Sequence, residues 1–177
     1  WSRTNAANNV PLMVNALLQQ GFTKENIRVL QDAEATRAGI EKAIQNDLVD
    51  KAANSGTAVL YFSGHNQQMQ DNDGDEPDGL DEALVPYDSP KDFISGEYEG
   101  ENLLRDDELN RLLAPLTQKL GPTGKLLITT DPNHLGTGIR GENEEPEAIV
   151  IMASPGFLAK LPQLSPDAPL QGLSLAA

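Results

Sequence analysis

The sequence predicts an α/β domain built on one parallel-rich sheet with helices on both faces. Three features point to it. Two apolar, β-branched runs, TAVLYF at 57–62 and LLITT at 126–130, each end in a polar loop that holds a histidine. Segments of strand character alternate with segments of helical periodicity, as parallel sheets with right-handed crossovers require. A further apolar run, AIVIMA at 148–153, has the continuous hydrophobicity of a strand buried on both faces. In an open sheet of this kind, chemistry is placed at the carboxyl ends of the strands. The two histidine loops, SGHN at 63–66 and DPNHLGTG at 131–138, therefore predict one shared crevice.

The elements follow in order. Residues 1–9 are polar and read as a loop, with Asn9 as a helix cap and Pro11 in the first turn. Leu12, Val14, Leu17 and Leu18 give a helix that packs on a sheet, and Gly21 ends it. A short strand covers 27–30. Thr36 caps the next helix, whose apolar stripe is Ile40, Ala43, Ile44 and Leu48. The strand at 57–62 follows the turn Asn54-Ser55-Gly56. Residues 67–88 form an acidic loop, with a short strand segment at 83–86. Residues 89–102 lack periodicity and read as a surface loop. Leu109, Leu112, Leu113 and Leu116 mark a third helix, charge-matched at its start by Asp106 and Asp107. The strand at 125–130 comes after a Gly-Pro-Thr-Gly turn, and 148–153 is expected to be another parallel strand.

Composition bounds the function. The chain has 177 residues, enough for one domain with a substantial core, and a formal net charge of −14. Nucleic acid is excluded as a natural partner, because binding it needs neutralising Lys and Arg. Basic peptides or divalent cations suit the charge better, although an acidic surface also serves solubility alone. No apolar run reaches the length of a membrane span, and no secretory signal pattern opens the chain. A cytoplasmic protein without membrane contact is the expectation. There is no cysteine, hence no disulfide.

The stretch YFSGHNQQMQDNDGDEPDGLDEALVPYD, followed by LLRDDELNRLL and LLITTDPNHLGTG, resembles the caspase-like cysteine peptidases of the metacaspase and orthocaspase type. The resemblance runs from about Ala6 to the C-terminus. It implies a caspase-like three-layer sandwich and an endopeptidase that cleaves after Arg or Lys with a Cys–His dyad. In that family one strand ends Ser-Gly-His-Gly and supplies the histidine, here His65. A later strand ends Asp-x-Cys-His-Ser-Gly and supplies the nucleophile, a position held here by Asn133. The glycine after the histidine, which lets the backbone face the oxyanion, is Asn66, and the family's serine is Leu135. Gly136 and Gly138 are kept. The family also begins with an apolar strand before its first helix. This single domain, residues 1–177, is therefore expected to lack the first strand and the C-terminal end. Loss of a central strand would leave two edges unpaired.

Carried over residue by residue, the resemblance also implies a basic-residue pocket. Its acids fall at Asp131, two positions before the nucleophile, and at Asn9, where the acid is neutralised. Ser63 and Ala6 stand beside them. Outside the resemblance, His65 reads as a structural histidine and Asp131 as a strand-end acid capping a turn. No cofactor is required, but calcium-dependent relatives use acids that map onto Asp81, Asp106 and Asp107. Oxygen ligands at the density of residues 71–82 suit that ion. Counting from Asp71, acids fall at positions 1, 3, 5 and 12 of an EF-hand loop, but Glu76 occupies the position that needs glycine, so a true EF-hand is rejected. A solvated loop is the simpler reading of these acids.

An asparagine amide is no substitute for a thiolate. Three accounts of position 133 stand. The protein is a natural pseudo-peptidase that keeps its pocket for binding. It is an altered form of an active enzyme. Or the protein carries cysteine where the sequence has asparagine. A calcium-responsive or peptide-binding module is the non-enzymatic alternative. A nucleotide-binding domain is disfavoured, since no Gly-rich fingerprint follows a strand and opens a helix. The oligomeric state is not legible.

Overall fold

The computed structural model describes residues 6–132 and 148–154. Its main sheet has the order β1-β7-β2-β6, with β1 at Ile27–Gln31, β2 at Thr57–Gly64, β6 at Lys125–Pro132 and β7 at Ile149–Ala153. A smaller sheet has the order β3-β4-β5, from Asn66–Gln70, Leu80–Leu84 and Leu104–Arg105. Three α-helices are described: α1 at Asn9–Gln19, α2 at Arg37–Ala43 and α3 at Asp106–Leu120. No described helix is long and apolar enough to cross a membrane.

The main sheet is mixed. β2 and β6 are parallel, in the register Ser63↔Asp131 and Gly64↔Pro132. β7 runs antiparallel to both β1 and β2 and sits between them. This corrects the expectation of a parallel strand at 148–153. It also means that β1 and β2 do not face each other as open edges. The reason the sequence misled is physical. All five residues of β7 are buried, and a run that is apolar on both faces carries no mark of its direction.

Period-two alternation divides the core between the two faces. Ala58, Leu60 and Phe62 of β2, with Val150 and Met152 of β7, pack against Ile40, Ile44, Leu113 and Leu116. Val59 and Tyr61, with Ile149 and Ile151, meet Leu17, Phe22, Met13 and Val14 on and beyond α1. Helices thus cover both faces, in the three layers expected. Each fully buried Leu, Ile or Phe contributes about 1.5–3 kcal/mol.

Local signals mostly hold. Thr36 caps α2 through a bond from Gly39 N to Thr36 Oγ1 at 3.1 Å. The helical stripe continues beyond Ala43 as a π-helical segment, Ile44–Val49, which buries Leu48 and Val49. Asn9 is not the cap of α1 but its first helical residue, preceded by a 3-10 turn at Ala6–Asn8. Its side chain is used elsewhere. The acidic segment is not a bare loop: β3 and β4 form an antiparallel hairpin, from Asn66↔Leu84 to Gln70↔Leu80. α3 starts with Glu108 accepting from Arg105 N at 3.2 Å and runs through Pro115.

Arg37 ties these parts together. Its guanidinium donates to Glu101 O at 2.8 Å and Leu103 O at 2.6 Å, and to the carboxylates of Glu41 at 3.0 Å and Glu108 at 2.9 Å. One side chain so fixes the start of α2 to the segment that enters α3.

Candidate active site

β1, β2 and β6 run in one direction, so their carboxyl ends lie at one edge of the sheet. His65 follows β2 there and is 1% exposed. Its carbonyl accepts from Val85 N at 3.0 Å, which fixes the backbone where β2 gives way to the hairpin. Ser63 is fully buried, two residues earlier. Asn66 opens β3 opposite Leu84. Its φ is not positive, so the asparagine sits in ordinary extended backbone rather than in a glycine-like turn. Asn133, Leu135, Gly136 and Gly138 lie outside the described residues.

Asp131 stands beside Ser63 in the β2/β6 ladder and is half-buried. Two donors converge on its Oδ2. Asn9 Nδ2 donates at 2.9 Å across 122 residues of sequence, and the Tyr61 hydroxyl donates at 3.3 Å. The residue expected as a helix cap thus bonds the acid near the end of β6. Burial pushes the Tyr61 phenol up from its ordinary value, and the neighbouring Asp131 charge acts in the same direction. The structure therefore brings Asn9, Ser63 and Asp131 together at the strand ends that also carry His65. Ala6 opens the turn before α1. Tyr61 was not singled out from sequence. The signal was present, because alternation along β2 puts Tyr61 and Ser63 on the face that Asp131 shares.

The acids form a second cluster on the hairpin. Carboxylate oxygens of Asp71, Asp75 and Asp81 lie within 4.8 Å of one another, as do those of Asp73, Asp75 and Asp107. Asp106 is in neither group among the described residues. Asp81, with a side chain 2% exposed, is ion-paired to Arg105, which also donates to Gln70 O at 2.8 Å. Asp71 is engaged by its own turn, accepting from the backbone N–H of Asp73, Gly74 and Glu76 at 2.9, 2.7 and 3.2 Å. These bonds hold its carboxyl below the ordinary value.

The remaining acids are crowded without a cation. A hydrogen bond with Asp73, reinforced by partial desolvation and by the charges of Asp73, Asp107 and Glu76, pushes Asp75 up to about 6. Asp107 is raised as well, by desolvation first and then by Asp73. Asp75 holds its proton more readily folded than unfolded. It therefore favours the folded state more at pH 5 than at pH 7, the difference arising between its ordinary carboxylate range and about 6.

A mixed sheet with helices on both faces, and a histidine and an acid at its carboxyl edge, is consistent with the caspase-like class. The metacaspase peptidase C14 domain model matches residues 4–139, and the chain belongs to that family. Metacaspase-3 of Arabidopsis thaliana is 36% identical over 120 residues, 64% of this chain and 30% of that protein. Metacaspase-1 of Eremothecium gossypii is 30% identical over 139 residues, 75% of this chain and 28% of that protein. Metacaspase-1 of Saccharomyces cerevisiae is 32% identical over 124 residues, 66% of this chain and 26% of that protein. The chain spans less than a third of the length of these relatives. No solved structure matches significantly.

Proposed function

We propose that this metacaspase domain recognises a basic side chain at Asp131 and, with asparagine at 133, does not cleave the peptide that carries it. One observation supports the reading above the others. Asp131 is held by Asn9 and Tyr61 and is in register with Ser63, two residues from His65. A carboxylate so oriented presents fixed negative charge to a Lys or Arg side chain. The β2/β6 ladder ends at Gly64↔Pro132, one peptide short of His65 on one strand and of Asn133 on the other. His65 would serve as the proton acceptor of a peptidase dyad at that place, and Asn66 N–H as an oxyanion donor. The missing part is the thiol, since the chain contains no cysteine. The amide of Asn133 has no acidic proton for His65 to take and no lone pair suited to attack. Recognition is retained and the covalent step is lost.

The test is a calorimetric titration with an amidated basic peptide, with the same sample assayed for cleavage. Binding that disappears in Asp131→Asn, without turnover, is the expected result. Cleavage by the protein as written would contradict it.

The crowded carboxylates favour a second property, calcium binding at the hairpin. Hard oxygen donors fit the ion, and a divalent charge would relieve the repulsion that raises Asp75 and Asp107. Asp73, Asp75 and Asp107 are the residues that would hold it, because Asp81 is engaged by Arg105. Calcium there would order the hairpin that follows His65. Protons compete for Asp75, so affinity should fall about tenfold between pH 7.5 and pH 5, the loss developing below about 6. Titration with calcium at the two pH values reads this directly. Equal affinity at both, or binding unchanged in Asp75→Asn, would remove the ion from this group.

A further inference from the structure

We infer that the Asp131 pocket selects a lysine-type ammonium over an arginine guanidinium, because Asn9 and Tyr61 together occupy one of its two carboxylate oxygens. The inference rests on Asp131 being the acceptor for a basic residue. Both bonds to the carboxylate, from Asn9 Nδ2 at 2.9 Å and from the Tyr61 hydroxyl at 3.3 Å, fall on Oδ2. Each carboxylate oxygen offers about two lone-pair positions, so Oδ2 is filled. Among the described residues no donor reaches Oδ1.

The two basic side chains use a carboxylate differently. Arginine gains most from a pair of parallel N–H bonds to both oxygens. With Oδ2 filled, that fork finds only one oxygen free, and its second N–H meets donors rather than an acceptor. Lysine brings a compact charge with three rotatable donors and needs no second oxygen in the same plane. It satisfies one donor on Oδ1 and turns the others to neighbouring acceptors. The Ser63 hydroxyl is the nearest such group in the ladder. It is buried beside Asp131 in the ladder.

The filling of Oδ2 follows from residues that the sequence could have chosen otherwise. An aspartate at position 9 would repel Asp131 and leave both oxygens to a ligand. Asparagine turns that neighbour into a donor. Tyr61 does the same from the sheet, its ring fixed in the core against α1. Asn9 and Tyr61 act through Asp131 and are positioning residues.

The experiment titrates the protein with two hexapeptide amides identical except for one central Lys or Arg, and repeats the pair on Tyr61→Phe, on Asn9→Ala and on the double variant. The unsubstituted protein should bind the Lys peptide about fivefold more tightly, the ratio set by one lost charge-assisted bond. The double variant should shift the ratio at least about fivefold toward Arg. Tyr61→Phe keeps the buried ring and should make part of this shift, whatever Asn9→Ala does to stability. A loss of packing alone would weaken both peptides equally and leave the ratio unmoved. An Arg preference in the unsubstituted protein, or a ratio unchanged in the variants, would overturn the inference while binding still depends on Asp131. If no peptide binds, or if binding survives Asp131→Asn, the basic-residue pocket itself is wrong, and the selectivity falls with it.

Discussion

Asn133→Cys is expected to give this protein a peptidase activity toward basic peptides, at least about 10³-fold above the unsubstituted chain. The expectation follows from what is present at the site and what is not. His65 is held at the end of β2 by Val85 N on its carbonyl. Asp131 is fixed by Asn9 and Tyr61. A thiol at 133 adds the one group whose ionised form attacks a carbonyl carbon. Removing the nucleophile of a hydrolase that works as a unit costs about 10⁶ in rate, so restoring it carries the largest gain available to a single substitution. The recovery should be incomplete. Asn66 places a side chain where the family has glycine, and a weakened oxyanion donor costs about 10²–10³. A second substitution, Asn66→Gly, should raise the activity of Asn133→Cys further, and His65→Ala should remove it. A folded Asn133→Cys protein that binds a Lys peptide and never cleaves it would show that His65 and residue 133 do not meet.

Arg105→Ala is expected to lower the melting temperature by about 6–20 °C, through a loss of about 3–5 kcal/mol. Asp81 is the reason. Its side chain is 2% exposed, and its countercharge is Arg105, itself 17% exposed. Without the guanidinium a carboxylate stays buried opposite Met69, within 4.8 Å of the carboxylates of Asp71 and Asp75 and without its countercharge. Gln70 O loses its donor at the same time. The double variant Asp81→Asn/Arg105→Met should recover most of the loss, since neutral groups of similar volume carry no unpaired charge. Arg105→Ala also frees Asp81 as an oxygen ligand, so calcium should protect this variant more than it protects the unsubstituted protein. A melting temperature within a degree or two of the original would mean that the pair is wet and of little consequence.

The parts of the fold that were legible are those where local chemistry and global position agree. Thr36 has the geometry that its capping preference predicts, and β2 and β6 lie where their β-branched runs lie. The direction of β7 was not legible, because Ile149–Ala153 is apolar on both faces. The hairpin at 66–84 was hidden by its charge. Gln68, Gln70 and Glu82 face outward, and only Met69, Ala83 and Leu84 are core residues, too few to betray a strand pattern. At the site, Ser63, His65, Asn9 and Asp131 came from the resemblance, and the structure gathers them at one end of the sheet. Tyr61 and Arg105 did not come from it, since each acts through an acid that is distant in sequence. Of the acids that the resemblance marks, Asp107 falls in one acidic group and Asp81 in the other, where it is also ion-paired to Arg105, while Asp106 is in neither among the described residues.

Under the proposed function, recognition of a basic residue persists without the covalent step. Its most direct test is a titration of the unsubstituted protein and of Asp131→Asn with an amidated Lys hexapeptide, followed by mass analysis of the recovered peptide and of the protein across residues 126–140. Asp131-dependent binding, an intact peptide and asparagine at 133 are the predicted result. A cleaved peptide, or binding indifferent to Asp131, would contradict it.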